Sequence, residues 1–146
     1  MKHQTITICA SSSFYADVLA AEKALKARGF KVHIPITARK MQKQGDFRVA
    51  TYKTWFRDPA AYARKAFLMR THFSRVLAAD AILVINHAKK GIEGYIGGNG
   101  LMEMGLAFQA KKRIYILNDV LPKHPFYEEI LGMRPVFLHG DLSGLR

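Results

Sequence analysis

A chain of 146 residues with 49% hydrophobic and 23% charged side chains is long enough to bury one core and too apolar for intrinsic disorder. Its outlying property is a formal net charge of +12, which points to anionic ligands (nucleotides, nucleic acid or anionic lipid) without choosing among them. No apolar run reaches the length of a membrane span or a signal-peptide core, and the single cysteine, Cys9, excludes an intrachain disulfide, so a cytoplasmic protein with a buried thiol is expected.

Thr5 to Cys9 alternates with period two and leads into Ser11, Ser12 and Ser13, which reads as a strand followed by helix-capping hydroxyls. Phe14 to Arg28 then sets Tyr15, Val18, Leu19 and Leu25 on one helical face, and Gly29 supplies the stop. Lys31 to Ile34 is a short strand closed by Pro35, after which periodicity lapses until Asp58-Pro59, an N-cap and first helical residue. Tyr62, Ala66, Met69, Phe73 and Val76 recur at helical spacing and predict a long helix ending near Ala79.

The uninterrupted run Ala81 to Ile85 has the composition of a central parallel strand covered on both faces. A helix over Leu101 to Lys111, a strand over Ile114 to Leu117, a short helix over Phe126 to Leu131 and a strand over Val136 to Leu138 complete the pattern. Regular βα alternation with five strands predicts a single doubly wound α/β domain over residues 1–146, flavodoxin- or Rossmann-like, with a parallel sheet in the order 2-1-3-4-5.

In such sheets ligands bind beyond the carboxyl ends of the strands. The segment after the third strand runs through Asn86 and His87 to Gly97, Gly98, Asn99 and Gly100 before a helix that carries Glu103 near its start. Glycines allow close approach and positive φ, and a helix start offers free N–H groups to an anion; the alternative is a sharp turn with a dipole-favoured acid. Ser11 to Ser13 likewise either cap a helix or hold a phosphate.

The run Asp80-Ala81-Ile82-Leu83-Val84, the glycine loop, Met102-Glu103-Met104-Gly105-Leu106-Ala107 and the strand Arg113 to Leu117 together resemble the nucleoside 2-deoxyribosyltransferase superfamily, which includes deoxynucleoside monophosphate N-glycosidases. The resemblance implies that Glu103 is the nucleophile toward the anomeric carbon, that Ser11 and its neighbours meet a substrate phosphate, and that a second subunit helps close the site. Three positions depart from the family pattern. The Lys89 to Asn99 region lengthens the interval between Asp80 and Glu103, His72 stands where the glycosidases carry an acid, and Ala10-Ser11 replaces a Gly-Ser. A histidine there still suits proton delivery to a leaving base, the alternative being a helix histidine at the sheet edge. Gly97 to Glu103 is also similar to the GGxGTxxE signature of cytokinin-activating phosphoribohydrolases of the lonely-guy type, with Leu101 in place of threonine.

Arg39 to Arg75 holds ten basic residues interleaved with Phe47, Tyr52, Trp55, Phe56 and Tyr62. It reads either as a lid and solvated helix face with inward aromatics, or as a surface for single-stranded nucleic acid. The combined expectation is cleavage or base exchange at the N-glycosidic bond of a nucleoside or its 5′-monophosphate. Glu103 and His72 would be catalytic; Ser11, Ser12, Ser13, Tyr15, Asn86, Gly97, Gly98, Asn99 and Gly100 would bind substrate. No metal set with ligand spacing is visible, no cofactor is expected, and at least a homodimer is. The rival classes are a nucleotide-sensing domain without turnover and a nucleic-acid-binding domain.

Overall fold

Strand residues alternate between two faces, and here each face of the sheet meets its own helices. The computed structural model describes residues 4–146. The elements are β1 (Thr5–Ala10), α1 (Tyr15–Ala27), β2 (Lys31–His33), α2 (Ile36–Gln44), α3 (Val49–Tyr52), α4 (Tyr62–Ala78), β3 (Ala81–Ile85), α5 (Gly98–Gln109), β4 (Arg113–Ile116), α6 (Tyr127–Gly132) and β5 (Val136–Phe137), joined by loops and short 3-10 turns. The five strands form one parallel sheet in the order β2-β1-β3-β4-β5, as the alternation predicts.

One face gathers Ile6, Ile8, Leu83, Ile85 and Tyr115 beneath Val18, Leu25 and Ala38 of α1 and α2. The opposite face gathers Cys9, Ile82, Val84, Ile114 and Ile116 beneath Val76 of α4, Met104 and Ala107 of α5 and Ile130 of α6. Every residue of β3 is buried, which is why its sequence lacks any polar alternation. At the amino end of the inner strands, Asp80 receives the Thr5 N–H on its carboxylate at 2.8 Å and sends its own N–H to the Thr5 carbonyl at 2.9 Å, fixing where β3 enters beside β1.

The local stop and start signals are used as chemistry demands. Gly29 takes φ 92°, and the Phe30 and Gly29 N–H groups return to the Leu25 and Lys26 carbonyls, a Schellman closure of α1. The Asp58 carboxylate accepts the Ala60 N–H at 3.1 Å with Pro59 at the first position, although the turn it caps is a 3-10 segment that only then becomes α4.

Several expectations are corrected. The stretch without periodicity between Pro35 and Asp58 holds α2, a nine-residue amphipathic helix that buries Ala38 and Met41, and α3, a single turn without buried residues. Tyr62 lies on the solvent side of α4, because only His72 and Val76 of that helix are fully buried. Ser11, Ser12 and Ser13 make no capping hydrogen bond from their side chains; a 3-10 turn over Ser12–Phe14 intervenes before α1.

Leu83, fully buried at the centre of the sheet, tests the packing directly. Leu83→Ala is expected to cost about 2–5 kcal/mol of unfolding free energy, measured by chemical denaturation, from lost burial and the residual cavity.

Candidate functional site

The carboxyl ends of β1 and β3 open into one cleft of about 240 Å³. Its walls are the turn after β1 (Ala10, Ser11, Ser12, Tyr15), the start of α5 (Gly97, Gly98, Asn99, Gly100, Glu103), α4 (Lys65, Leu68, Met69, His72, Arg75) and the α2–α3 region (Met41, Val49, Tyr52, Lys53, Trp55). Lys89, Lys90 and Tyr95 close it from the loop after β3. Ser11 to Ser12 and Gly97 to Gly100 therefore converge from adjacent strands, while Ser13 is exposed and lies outside the cleft.

The helix begins earlier than its sequence pattern indicates. The α5 helix starts at Gly98, not Leu101, so the glycines form its first turn and Glu103 sits in the second. None of Gly97, Gly98 and Gly100 has a positive φ. What glycine supplies at Gly97 is space, since a Cβ there would stand 3.1 Å from the Tyr95 hydroxyl. The first-turn N–H groups of Gly98, Asn99 and Gly100 have no helical carbonyl to meet and face the cleft wall.

Glu103 reaches inward, 7% exposed, on the same helical face as Ala107. Burial pushes its carboxyl up to about 7, opposed by a hydrogen bond with Cys9 and by the Lys65 charge. First-turn placement does not hold it ionised, since it is not in the first turn and desolvation outweighs the dipole. His72 Nε2 lies 4.0 Å from a Glu103 oxygen. Burial, then the Arg75 charge, lower the His72 imidazole to about 4, and neither ring nitrogen has a hydrogen-bond partner among the described residues. Burial and then Glu103 also push the Cys9 thiol and the Tyr15 phenol above their ordinary ranges.

Cys9, His72 and Glu103 thus form one buried cluster whose donor atoms all lie within 4.8 Å of one another. Sequence spacing shows no such set, because the three come from β1, α4 and α5. Sulfur, imidazole and carboxylate together are also donor types that can hold zinc.

Asn86 is the expectation most clearly corrected. It is fully buried and does not line the cleft. Its amide nitrogen donates to the Gly94 and Asn118 carbonyls at 3.3 and 2.8 Å, and its oxygen accepts the Asn118 N–H at 2.8 Å. It therefore clamps the loop after β3 to the end of β4. Gly94 (φ 64°) passes so close to the Asp119 carbonyl that a Cβ would lie 2.3 Å from it. His124 Nε2 accepts the Ile96 N–H at 3.1 Å and fixes the loop just before α5.

The basic segment divides. Trp55 is buried with Lys65 5.4 Å above its ring, whereas Phe47, Phe56 and Tyr62 are exposed, contrary to the expectation of inward aromatics. Sequence reasoning singled out neither Cys9, Lys53, Lys65 and Trp55 nor Lys89 and Lys90 as site residues. The last two follow the central strand and were within reach of the switch-point rule; the others carry no local signal. No protein-family model and no curated protein matches the chain. Among the described residues no helix is long and apolar enough to cross a membrane.

Because the Glu103 carboxyl is held near 7 in the fold and near 4.5 when unfolded, the fold loses stability as pH rises from about 4.5 to about 7 and stays lower above. Glu103→Gln removes that loss. It is expected to gain about 2–3 kcal/mol over wild type at pH 8 relative to pH 5, read from denaturation at both values.

Proposed function

We propose that the protein cleaves, or exchanges the base across, the N-glycosidic bond of a nucleoside or nucleoside 5′-monophosphate. The observation that carries this is the buried Glu103 and His72 pair on the floor of a cleft whose rim is cationic. The two environments push the pKa values apart, up to about 7 for the carboxyl and down to about 4 for the imidazole, so between those values the pair holds one proton, on Glu103.

As positive charge grows at C1′, the Glu103 proton passes to His72 Nε2 and the freed carboxylate forms the bond to C1′. The C1′–N bond breaks with its electron pair leaving on the base, which takes the proton from His72. The resulting glycosyl ester is resolved when water, or a second base, attacks C1′ with His72 accepting a proton, and the configuration at C1′ is retained. Phosphate on the substrate is met by the α5 first-turn N–H groups and the Ser11 hydroxyl, and the Tyr15 phenol stays protonated as a donor. The free thiol of Cys9 suits a reducing compartment, and we assign the cytoplasm on that ground.

A panel of ribo- and deoxyribonucleosides and their monophosphates, scored for free base, tests the reading. Wild type is expected to release base from at least one, with kcat/KM falling above pH about 7 as the pair loses its proton. Glu103→Gln should lose about 10³-fold or more in release while binding is retained. Above pH about 7, where Glu103 is already ionised, His72→Ala should recover on a 7-methylguanine nucleotide, whose cationic base leaves without a proton, whereas Glu103→Gln should not. Binding without release from wild type on every nucleotide would replace the enzyme with a nucleotide sensor.

We further propose at least a homodimer, since α4 and α5 expose Phe67, Leu77, Met102 and Phe108. Light scattering is expected to give twice the chain mass or more; a monomer with full activity would refute it.

A further inference from the structure

Five cations line the cleft, Lys53, Lys65, Arg75, Lys89 and Lys90, against one carboxyl group, Glu103. Arg75 is engaged by the Ile34 carbonyl, and Lys65 lies over Trp55. The remaining three come from opposite walls: Lys53 ends α3, and Lys89 and Lys90 come from the loop after β3. Among the described residues none of the three lies within salt-bridge distance of an acid. Lys89 reaches across to the Ser11 hydroxyl at 2.8 Å.

The backbone holds this arrangement at some cost. Lys89 and Ile92 exchange both backbone hydrogen bonds, at 3.0 and 2.9 Å, around a two-residue turn in which Lys90 (φ 54°) and Gly91 (φ 72°) are both left-handed. That is the type I′ hairpin geometry, whose first central position favours asparagine or glycine. A lysine there is strained, and strain of this kind collects where a site needs a particular side chain. The turn lies in the Lys89 to Asn99 region that lengthens this chain relative to the family it resembles.

Resting on the N-glycosidase reading above but extending its substrate beyond the monophosphate, we propose that the cleft favours a nucleoside 5′-diphosphate or triphosphate, with the first phosphate at Ser11 and Lys89 and the outer phosphates held by Lys53 and Lys90. A monophosphate dianion would leave Lys53 and Lys90 facing each other uncompensated, whereas a phosphate chain of three to four negative charges matches the lysines present. Burial, then Lys65 and Lys90, hold Lys53 below the ordinary lysine range, and burial, then Lys53 and Lys90, do the same for Lys89, so these ammoniums share one positive field. Convergence around a single cleft, instead of spacing along a groove, favours a mononucleotide over an oligonucleotide.

Quenching of Trp55, the single tryptophan, by ligands of increasing charge tests this on the whole chain in magnesium-free buffer. The probes are inorganic phosphate, pyrophosphate and tripolyphosphate, deoxyadenosine mono-, di- and triphosphate, and a ten-residue oligothymidylate. Pyrophosphate and the diphosphate are expected to bind about 10-fold or more tighter than phosphate and the monophosphate, each added charge-assisted contact contributing roughly a factor of ten. Lys90→Asn relaxes the turn and removes the charge, so it should lower polyphosphate affinity about 10-fold while the melting temperature holds or rises by about 2 °C; Lys53→Gln should lower the affinity similarly. A turn that is merely structural would leave affinity untouched by Lys90→Asn. Equal affinity for mono- and polyphosphates, or tightest binding by the oligonucleotide, overturns the proposal. Polyphosphate selectivity without base release from any nucleotide supports the cradle and sinks the glycosidase reading; base release with equal kcat/KM from mono- and diphosphate does the reverse.

Discussion

A parallel sheet must be covered on both faces, because its strands carry apolar residues on each side and its crossovers deliver helices to each side. In this protein that requirement decides where function can go. Helices α1 and α2 take one face and α4, α5 and α6 the other, which leaves open ground at the carboxyl end of the sheet, where β1 and β3 separate toward their different helices. The cleft is the space left when coverage is complete. The Asn86 and Asn118 side chains hold that end in shape by satisfying backbone groups of the two loops that leave it.

Within the cleft the electrostatics run against stability on two levels. The Glu103 carboxyl is buried beyond salt-bridge distance of any lysine or arginine among the described residues, and five cations share the cleft with that single carboxyl. Either arrangement costs free energy in the empty protein, and either is relieved by a ligand that brings an anion to the rim and a developing cation to the floor. A phosphorylated sugar at the point of glycosidic cleavage has both. On the proposed reading, that complementarity links the lysine rim to the Glu103 floor.

Much of the architecture is local in origin and so was legible in the residues. Period-two alternation in β1, the unbroken apolar run of β3, Gly29 closing α1 and Asp58-Pro59 opening the turn before α4 each act over a few residues, and each forms as its pattern indicates. Strand order followed, since short βα units leave few chirally allowed arrangements. Glu103 stood out for the same reason, being near a glycine-rich helix start behind the central strand. The failures are also local in origin. The α2 helix is short and mostly polar, with only Ala38 and Met41 buried, α3 buries nothing, and glycines at 98 and 100 were read as loop because helix propensity disfavours them, although packing of α5 against β3 and β4 overrides that preference.

What the sequence by itself determined was therefore the sheet, its order and the neighbourhood of the site. The tertiary structure decided the chemistry of that neighbourhood. Cys9, His72 and Glu103 are far apart in the chain and meet only because β1, α4 and α5 pack on one face of the sheet. Desolvation follows from that meeting: it reverses the ionisation expected of an acid near a helix start, and it leaves an imidazole neutral beside a protonated carboxyl. Asn86, a polar residue at a strand's end, looked like a ligand contact and is a buried clamp, because the groups that claim it lie in loops eight and thirty-two residues away. Propensity and pattern are properties of neighbours in sequence, whereas a pKa and a hydrogen-bond partner are properties of neighbours in space.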